Sequence, residues 1–94
     1  MDYIKKFLPD FEKKIGFGKT KTIDTLVEKW EELVGKTEAK NTLPYKVKDG
    51  VLFLAVENSI VMNELTYKKK DLINKINAFL KTEEIKEIKT RLKQ

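Results

Sequence analysis

Hydrophobic positions near the N-terminus recur at helical spacing. Four apolar residues, separated mainly by lysine and acidic residues, fall three or four positions apart: Ile4, Leu8, Phe11 and Ile15. This pattern predicts an N-terminal amphipathic helix within residues 1–18, preceding the core. Pro9 lies inside the pattern, and proline disrupts a helix interior but is tolerated in the first turn. The helix is therefore either kinked at Leu8 or begins there.

A second run with the same spacing predicts another amphipathic helix over residues 22–34. Its apolar face comprises Ile23, Leu26, Val27, Trp30, Leu33 and Val34. Thr22 is suited to cap its N-terminus, and Gly35 is the residue type that most easily takes a left-handed conformation at its end. Trp30 is a candidate partner anchor or base-stacking platform, but its place in this repeat favours the core. Residues 36–42 are polar and indicate a connector, with room for one more helical turn.

The middle of the chain changes from helical spacing to alternation. Residues 45–48 alternate apolar and polar, Asp49-Gly50 follows, and residues 51–56 are all apolar. An Asp-Gly pair between two such runs predicts a tight β-hairpin, because both residues accept positive φ. The second strand is apolar on both faces, so we expect it in the middle of a sheet or beneath packed helices.

A long helix is predicted after the hairpin, capped by Asn58 or Ser59. Its apolar stripe consists of Val61, Leu65, Leu72, Ile76 and Phe79 or Leu80. One turn of the stripe is missing, since Lys68 or Lys69 stands where an apolar residue is expected. Either the lysine stems cover the core there or the helix runs past its edge. The last segment, residues 85–92, fits both periodicities, and spacing alone favours a helix.

The composition limits the possible functions. The 94 residues fit one domain, residues 1–94, and neither Cys nor His is present. Their absence removes thiolate nucleophiles, disulfides, Cys/His metal sites and the commonest general base. We therefore expect no enzyme activity, no cofactor and no small-molecule substrate. The longest apolar run, residues 51–56, is too short to span a membrane, and charges break the N-terminus, so a cytoplasmic protein is expected, with a monomer favoured.

Two weaker chemical motifs are set aside. The acidic pairs Glu31-Glu32 and Glu83-Glu84 are flanked by lysine and occupy adjacent positions, which do not face one another on a helix. They indicate a solvated surface rather than a metal or acid–base site. Tyr45 and Phe53 flank the hairpin as aromatics do in RNA-recognition sheets, but the glycine-aromatic pattern of that motif is absent.

The charge indicates attraction to polyanions. The net charge is +5, and nineteen of the twenty basic residues are lysine, Arg91 being the exception. Binding to nucleic acid should therefore be salt-sensitive and nearly independent of sequence. Two groups are candidate nucleic-acid-binding residues, from the first strand and the long helix: Lys46, Lys48, Lys68, Lys69, Lys70 and Lys75. If they meet in the fold, they form one positive surface for phosphates or an acidic partner; the alternative is an ordinary solvated surface.

The middle and end of the chain resemble the DciA-like family of bacterial proteins. The matching residues, in order, are Leu26, Trp30, Val34 and Gly35; Thr42 and Pro44; Asp49-Gly50-Val51-Leu52 and Val56; Asn58-Ser59 and Glu64-Leu65; Leu72-Ile73 and Ile76-Asn77; and Ile85 to Leu92. No single motif is specific, but the ordered set spans about three quarters of the chain.

This resemblance implies a KH-like α+β domain with two N-terminal helices, a β-hairpin, a long helix and a C-terminal third strand, the helices packing on one face of the sheet. It makes residues 85–92 a strand, against their periodicity. It also implies a non-enzymatic accessory protein in bacterial DNA replication, which binds the DnaB-type replicative helicase and assists its loading on single-stranded DNA. The alternative is a sequence-independent single-stranded RNA- or DNA-binding domain that uses the lysine-rich surface.

The sequence departs from the family pattern in three ways. Val61 stands where family members often carry Trp, and the basic extension of many members is absent from the sequence. DNA contact through such an extension is therefore not carried over. There is no Gly-x-x-Gly loop either, so the nucleotide clamp of true KH domains is not expected, and KH-like describes the shape alone.

Overall fold

A computed structural model describes residues 21–81 and 84–93. The predicted N-terminal helix lies outside these residues, as does Glu83. The described elements are α1 (Lys21–Glu28), α2 (Trp30–Val34), α3 (Lys36–Asn41), β1 (Thr42–Lys48), β2 (Val51–Val56), α4 (Ser59–Leu80) and β3 (Glu87–Leu92). The protein is an α+β fold, with short helices, a three-stranded sheet and one long helix, as expected.

The helix predicted over residues 22–34 is interrupted. Lys29 has φ −109° and ψ 12°, which separates α1 from α2. Apolar spacing continues across Lys29 and no glycine or proline marks the break, so the pattern carried no signal of it. Gly35, at φ 94° and ψ 159°, takes a conformation almost confined to glycine and turns the chain into α3. The residues interpreted as a connector thus form the additional helical turn that the sequence left open.

The sheet has the order β1-β2-β3, with β1 antiparallel and β3 parallel to the central strand. Lys48 pairs with Val51 across a two-residue turn. Asp49 and Gly50 in that turn have φ 52° and 79°, and a type I′ hairpin turn requires positive φ at both positions. The predicted hairpin is confirmed, and so is the central position of the second strand.

Helix α4 connects β2 to the parallel strand β3. It begins at the Asn58 cap, whose Oδ1 accepts a hydrogen bond from Val61 N at 3.0 Å. Near its end, the Asn77 side chain donates to Ile85 O at 2.9 Å and accepts from Ile85 N at 2.6 Å. These two bonds hold the chain where it enters β3. The strand implied by the family resemblance is confirmed, and the helix favoured by periodicity is wrong, because pairing with β2 decides the conformation.

The main core lies between the helices and one face of the sheet. It contains Ile23, Leu26, Trp30, Leu52, Leu54, Leu65, Leu72, Ile76 and Ile88. Trp30 is 0% exposed, which confirms its core assignment. Its indole Nε1 donates to Thr42 Oγ1 at 2.9 Å, and that hydroxyl donates to Glu38 O at 2.6 Å. Buried polar groups thereby find partners within the core.

Candidate binding surfaces

One group of candidate residues lies on the sheet face opposite the main core. In the strand register, Lys46 pairs with Phe53, and Phe53 pairs with Lys89. Directly paired residues point to the same face of a sheet, and Phe53 alternates with the core residues Leu52 and Leu54. Lys48 pairs with Val51 and Arg91 pairs with Ala55, and both partners lie on the same side of β2 as Phe53. Lys48 and Arg91 therefore belong to this face as well. We call this surface the hairpin face: Lys46, Lys48, Phe53, Lys89 and Arg91.

Phe53 is the centre of the hairpin face. Lys46 Nζ lies 5.5 Å from the centroid of its ring, within range of a cation–π contact. Adjacent strands are separated by about 4.8 Å, so the backbones of Lys46 and Lys89 are about 10 Å apart with the ring between them. Lys48, Lys89 and Arg91 are exposed, whereas Phe53 and Lys46 are half-buried. The row therefore alternates cation, aromatic ring and cation.

Tyr45 packs beside Phe53 in a buried cluster with Leu43 and Ala55. Its ring centroid is 6.2 Å from that of Phe53 at a tilt of 48°, and only 2% of the residue is exposed. Burial raises the pKa of the Tyr45 hydroxyl, while a hydrogen bond with Arg91 and the Arg91 charge act in the opposite direction. Tyr45 is therefore unsuited to stack a ligand, and it holds the arginine at the edge of the hairpin face.

Lys68, in the interrupted stripe of α4, forms an ion pair with Glu38 of α3. Its Nζ lies 2.9 Å from Glu38 Oε1, and the Glu38 side chain is only 10% exposed. Hydrogen bonding to Lys68 lowers the pKa of Glu38, and the same bond raises the pKa of Lys68. Charge pairing thus replaces apolar contact at this turn of the helix.

The same interruption opens a groove between α2–α3 and α4. The groove has a volume of about 240 Å³ and is lined by four apolar and four charged residues: Leu33, Val34, Leu65, Leu72, Glu38, Lys68, Asp71 and Lys75. Leu65 and Leu72 are buried, whereas Lys68, Asp71 and Lys75 are exposed. Charges of both signs surround it. An apolar floor with a polar rim is the usual anatomy of a small protein-binding surface.

The six candidate lysines do not form one surface. Lys68 and Lys75 line the groove. Because an α-helix turns about 100° per residue, Lys69 lies on the opposite flank of the buried stripe and Lys70 points away from it. Helix α4 packs on the core face of the sheet, so the sheet separates all four from the hairpin face.

Sequence reasoning did not assign Phe53, Lys89 and Arg91 of the hairpin face to a site, nor Glu38 and Asp71 of the groove. Glu87, Lys89 and Arg91 alternate with Ile88 and Thr90, so treating residues 85–92 as a strand places the charged residues together on one face. That signal was available once the family resemblance had indicated a strand. Pairing with Phe53, by contrast, depends on the register between β2 and β3.

No group of three or more acidic side chains suited to hold a metal ion occurs among the described residues, and the sequence contains no His or Cys. Glu31, Glu32 and Glu84 are exposed, as expected of a solvated surface. Within the same residues, no helix has the length and apolar character needed to cross a membrane.

These features define a small α+β domain with a basic sheet face and, on the other side, a groove lined by apolar and charged residues. A family model described as Dna[CI] antecedent, DciA, matches residues 3–90. The chain therefore belongs to the DciA family, which confirms the resemblance. The family is a bacterial DNA-replication accessory family associated with loading of the DnaB helicase, and it is not a known class of enzyme. A search of curated proteins finds no match.

Proposed function

We propose that this protein binds the DnaB-type replicative helicase and assists its loading on single-stranded DNA, without catalysing a reaction itself. The observation that carries the proposal is the family match over residues 3–90.

We assign the helicase contact to the groove beside α4. Its apolar floor can receive a side chain of the partner, while Glu38, Lys68, Asp71 and Lys75 set the charge pattern around it. The Lys68–Glu38 ion pair fixes one wall in position before binding. A wall that is already ordered reduces the conformational entropy lost on association.

The test is a pull-down of the replicative helicase of the same organism by the immobilised chain, at micromolar concentration and low salt. Asp71→Lys and Lys75→Glu reverse charges on the groove rim and should weaken capture, whereas Lys70→Glu, on the back of α4, is the matched control. Absence of helicase binding by the unaltered chain under these conditions would overturn the proposal. If the three variants weaken helicase capture equally, the helicase contact does not lie in the groove.

A second candidate function is sequence-independent binding of single-stranded RNA or DNA. It is favoured by the cations of the hairpin face. If Lys68, Lys69 and Lys70 contribute to the site, affinity should fall steeply with salt, and reversing their charges should abolish binding. If the hairpin face acts alone, the same reversal should leave most of the affinity intact.

A further inference from the structure

We propose that the hairpin face is a single-strand nucleic-acid site in which Phe53 stacks against a base while Lys46, Lys89 and Arg91 contact phosphates. The proposal deepens the second candidate function and rests on it. It does not require helicase binding, so the nucleic-acid site and the helicase contact can be refuted independently.

The row across the sheet supplies the geometry. Lys46, Phe53 and Lys89 are directly paired on three neighbouring strands. A nucleic-acid strand that lays one base on the central ring brings its sugar-phosphate backbone past a lysine on either side. Arg91 extends the row by one pair, since it pairs with Ala55, two residues along β2 from Phe53. Flat aromatic rings flanked by cations are the common design of single-strand binding surfaces.

Charge distinguishes this face from α4. The hairpin face carries three lysines and the arginine, and Glu87 is the acidic neighbour that pairs with Val51 on the same side. On α4, by contrast, Lys68 is paired with Glu38, and Asp71 lies between Lys68 and Lys75 along the groove. A polyanion is therefore attracted more strongly to the hairpin face. Arg91 adds the planar fork that suits phosphate oxygens.

The ring decides between nucleic acid and an acidic peptide. Cations alone serve either ligand, but a ring between two cations adds attraction for a base through stacking. The half-buried Phe53 ring packs against the cluster of Leu43, Tyr45 and Ala55, and Lys46 Nζ lies over it, so a base stacks there in place of the lysine ammonium. Acidic peptides gain little from that position. We therefore commit to single-stranded nucleic acid as the occupant.

The experiment measures binding by fluorescence anisotropy with three labelled probes: an oligothymidylate, an abasic oligodeoxynucleotide of equal length and a polyglutamate peptide. Phe53→Leu keeps an apolar side chain but removes the ring. It should weaken oligothymidylate binding about five-fold or more and leave abasic binding unchanged, while Phe53→Tyr should retain affinity. Circular dichroism and thermal unfolding establish that each variant remains folded.

The cations are tested with matched neutral substitutions. Lys89→Gln should weaken binding of both oligonucleotides and reduce the slope of log affinity against log salt by about 0.7, as expected for one lost phosphate contact with a single strand. Lys70→Gln, which removes the same charge from the outer surface of α4, should change neither quantity. Equal losses for these two variants would overturn a localised site.

Two further outcomes would overturn the proposal. An equal loss for thymidylate and abasic probes in Phe53→Leu means that the ring does not stack a base. Polyglutamate binding as tight as oligothymidylate, with the same response to Lys89→Gln, identifies an acidic-peptide surface instead. The helicase pull-down with Phe53→Leu separates the two functions, because capture should persist if the groove carries the protein contact.

Discussion

The Thr42 hydroxyl links three elements of the core, so replacing it tests the packing directly. It accepts a hydrogen bond from Trp30 Nε1 at 2.9 Å and donates one to Glu38 O at 2.6 Å. Thr42 and Trp30 are both 0% exposed. Thr42→Val preserves the shape of the side chain and its preference for a strand, but it leaves the indole N–H without that partner and out of reach of water.

The expected cost follows from these two lost bonds. A buried donor left unsatisfied costs about 1–3 kcal/mol, and the Glu38 carbonyl loses a short hydrogen bond as well. We expect Thr42→Val to lower the free energy of unfolding by about 2–3 kcal/mol. For a domain of this size, each kcal/mol lowers Tm by about 4–8 °C, so Tm should fall by about 8–24 °C.

Thermal and urea unfolding followed by circular dichroism measure this change. Thr66→Val is the matched control, because the Thr66 hydroxyl donates to Met62 O at 3.0 Å on an exposed surface where water can replace it. The control should change stability by less than about 0.5 kcal/mol. Trp30→Phe removes the indole donor. In that variant, Thr42→Val should lower the free energy of unfolding by less than it does in the unaltered protein. Equal costs for Thr42→Val and Thr66→Val would refute this account of the core.

Three further changes test other contacts. Asn77→Ala removes both hydrogen bonds to Ile85 and should lower stability by about 1–3 kcal/mol in urea unfolding, with amide hydrogen exchange fastest in β3. Gly35→Ala should cost about 1–3 kcal/mol in the same assay because of its positive φ. Glu38→Gln removes the ion pair with Lys68; since the pKa of Glu38 lies below its ordinary 4.5, the Tm deficit of the variant should be full above pH 4.5 and disappear as pH falls through the lowered pKa. If the Tm deficit of Glu38→Gln stays the same down to the lowest pH at which the protein folds, the ion pair is not its cause.

Features governed by local chemistry could be predicted from the sequence. The hairpin follows from Asp49-Gly50, because positive φ at two successive residues is costly for most other pairs. Asn58 caps α4 for the equally local reason that its side chain reaches the backbone N–H three residues ahead. The burial of Trp30 follows from its position on an apolar helical face.

Features governed by distant contacts could not be predicted in this way. Residues 85–92 satisfy two periodicities, and only the parallel pairing with β2 selects the strand. The break at Lys29 leaves the apolar spacing intact and so has no counterpart in the pattern. Strand register and helix rotation decide on which face each candidate lysine lies, because a shift of one residue moves a side chain to the other face of a sheet.

The separation of these lysines has a consequence for the proposed functions. The groove lies among helices that pack on the core face, whereas the hairpin face is on the other side of the sheet. A partner protein seated in the groove therefore does not cover Lys89, Arg91 or the exposed part of Phe53. The two proposals taken together therefore predict that the domain binds the helicase and a single strand at the same time, on opposite sides of the sheet, without competition between them. Mutually exclusive binding of helicase and oligothymidylate would place both on one surface and contradict this arrangement.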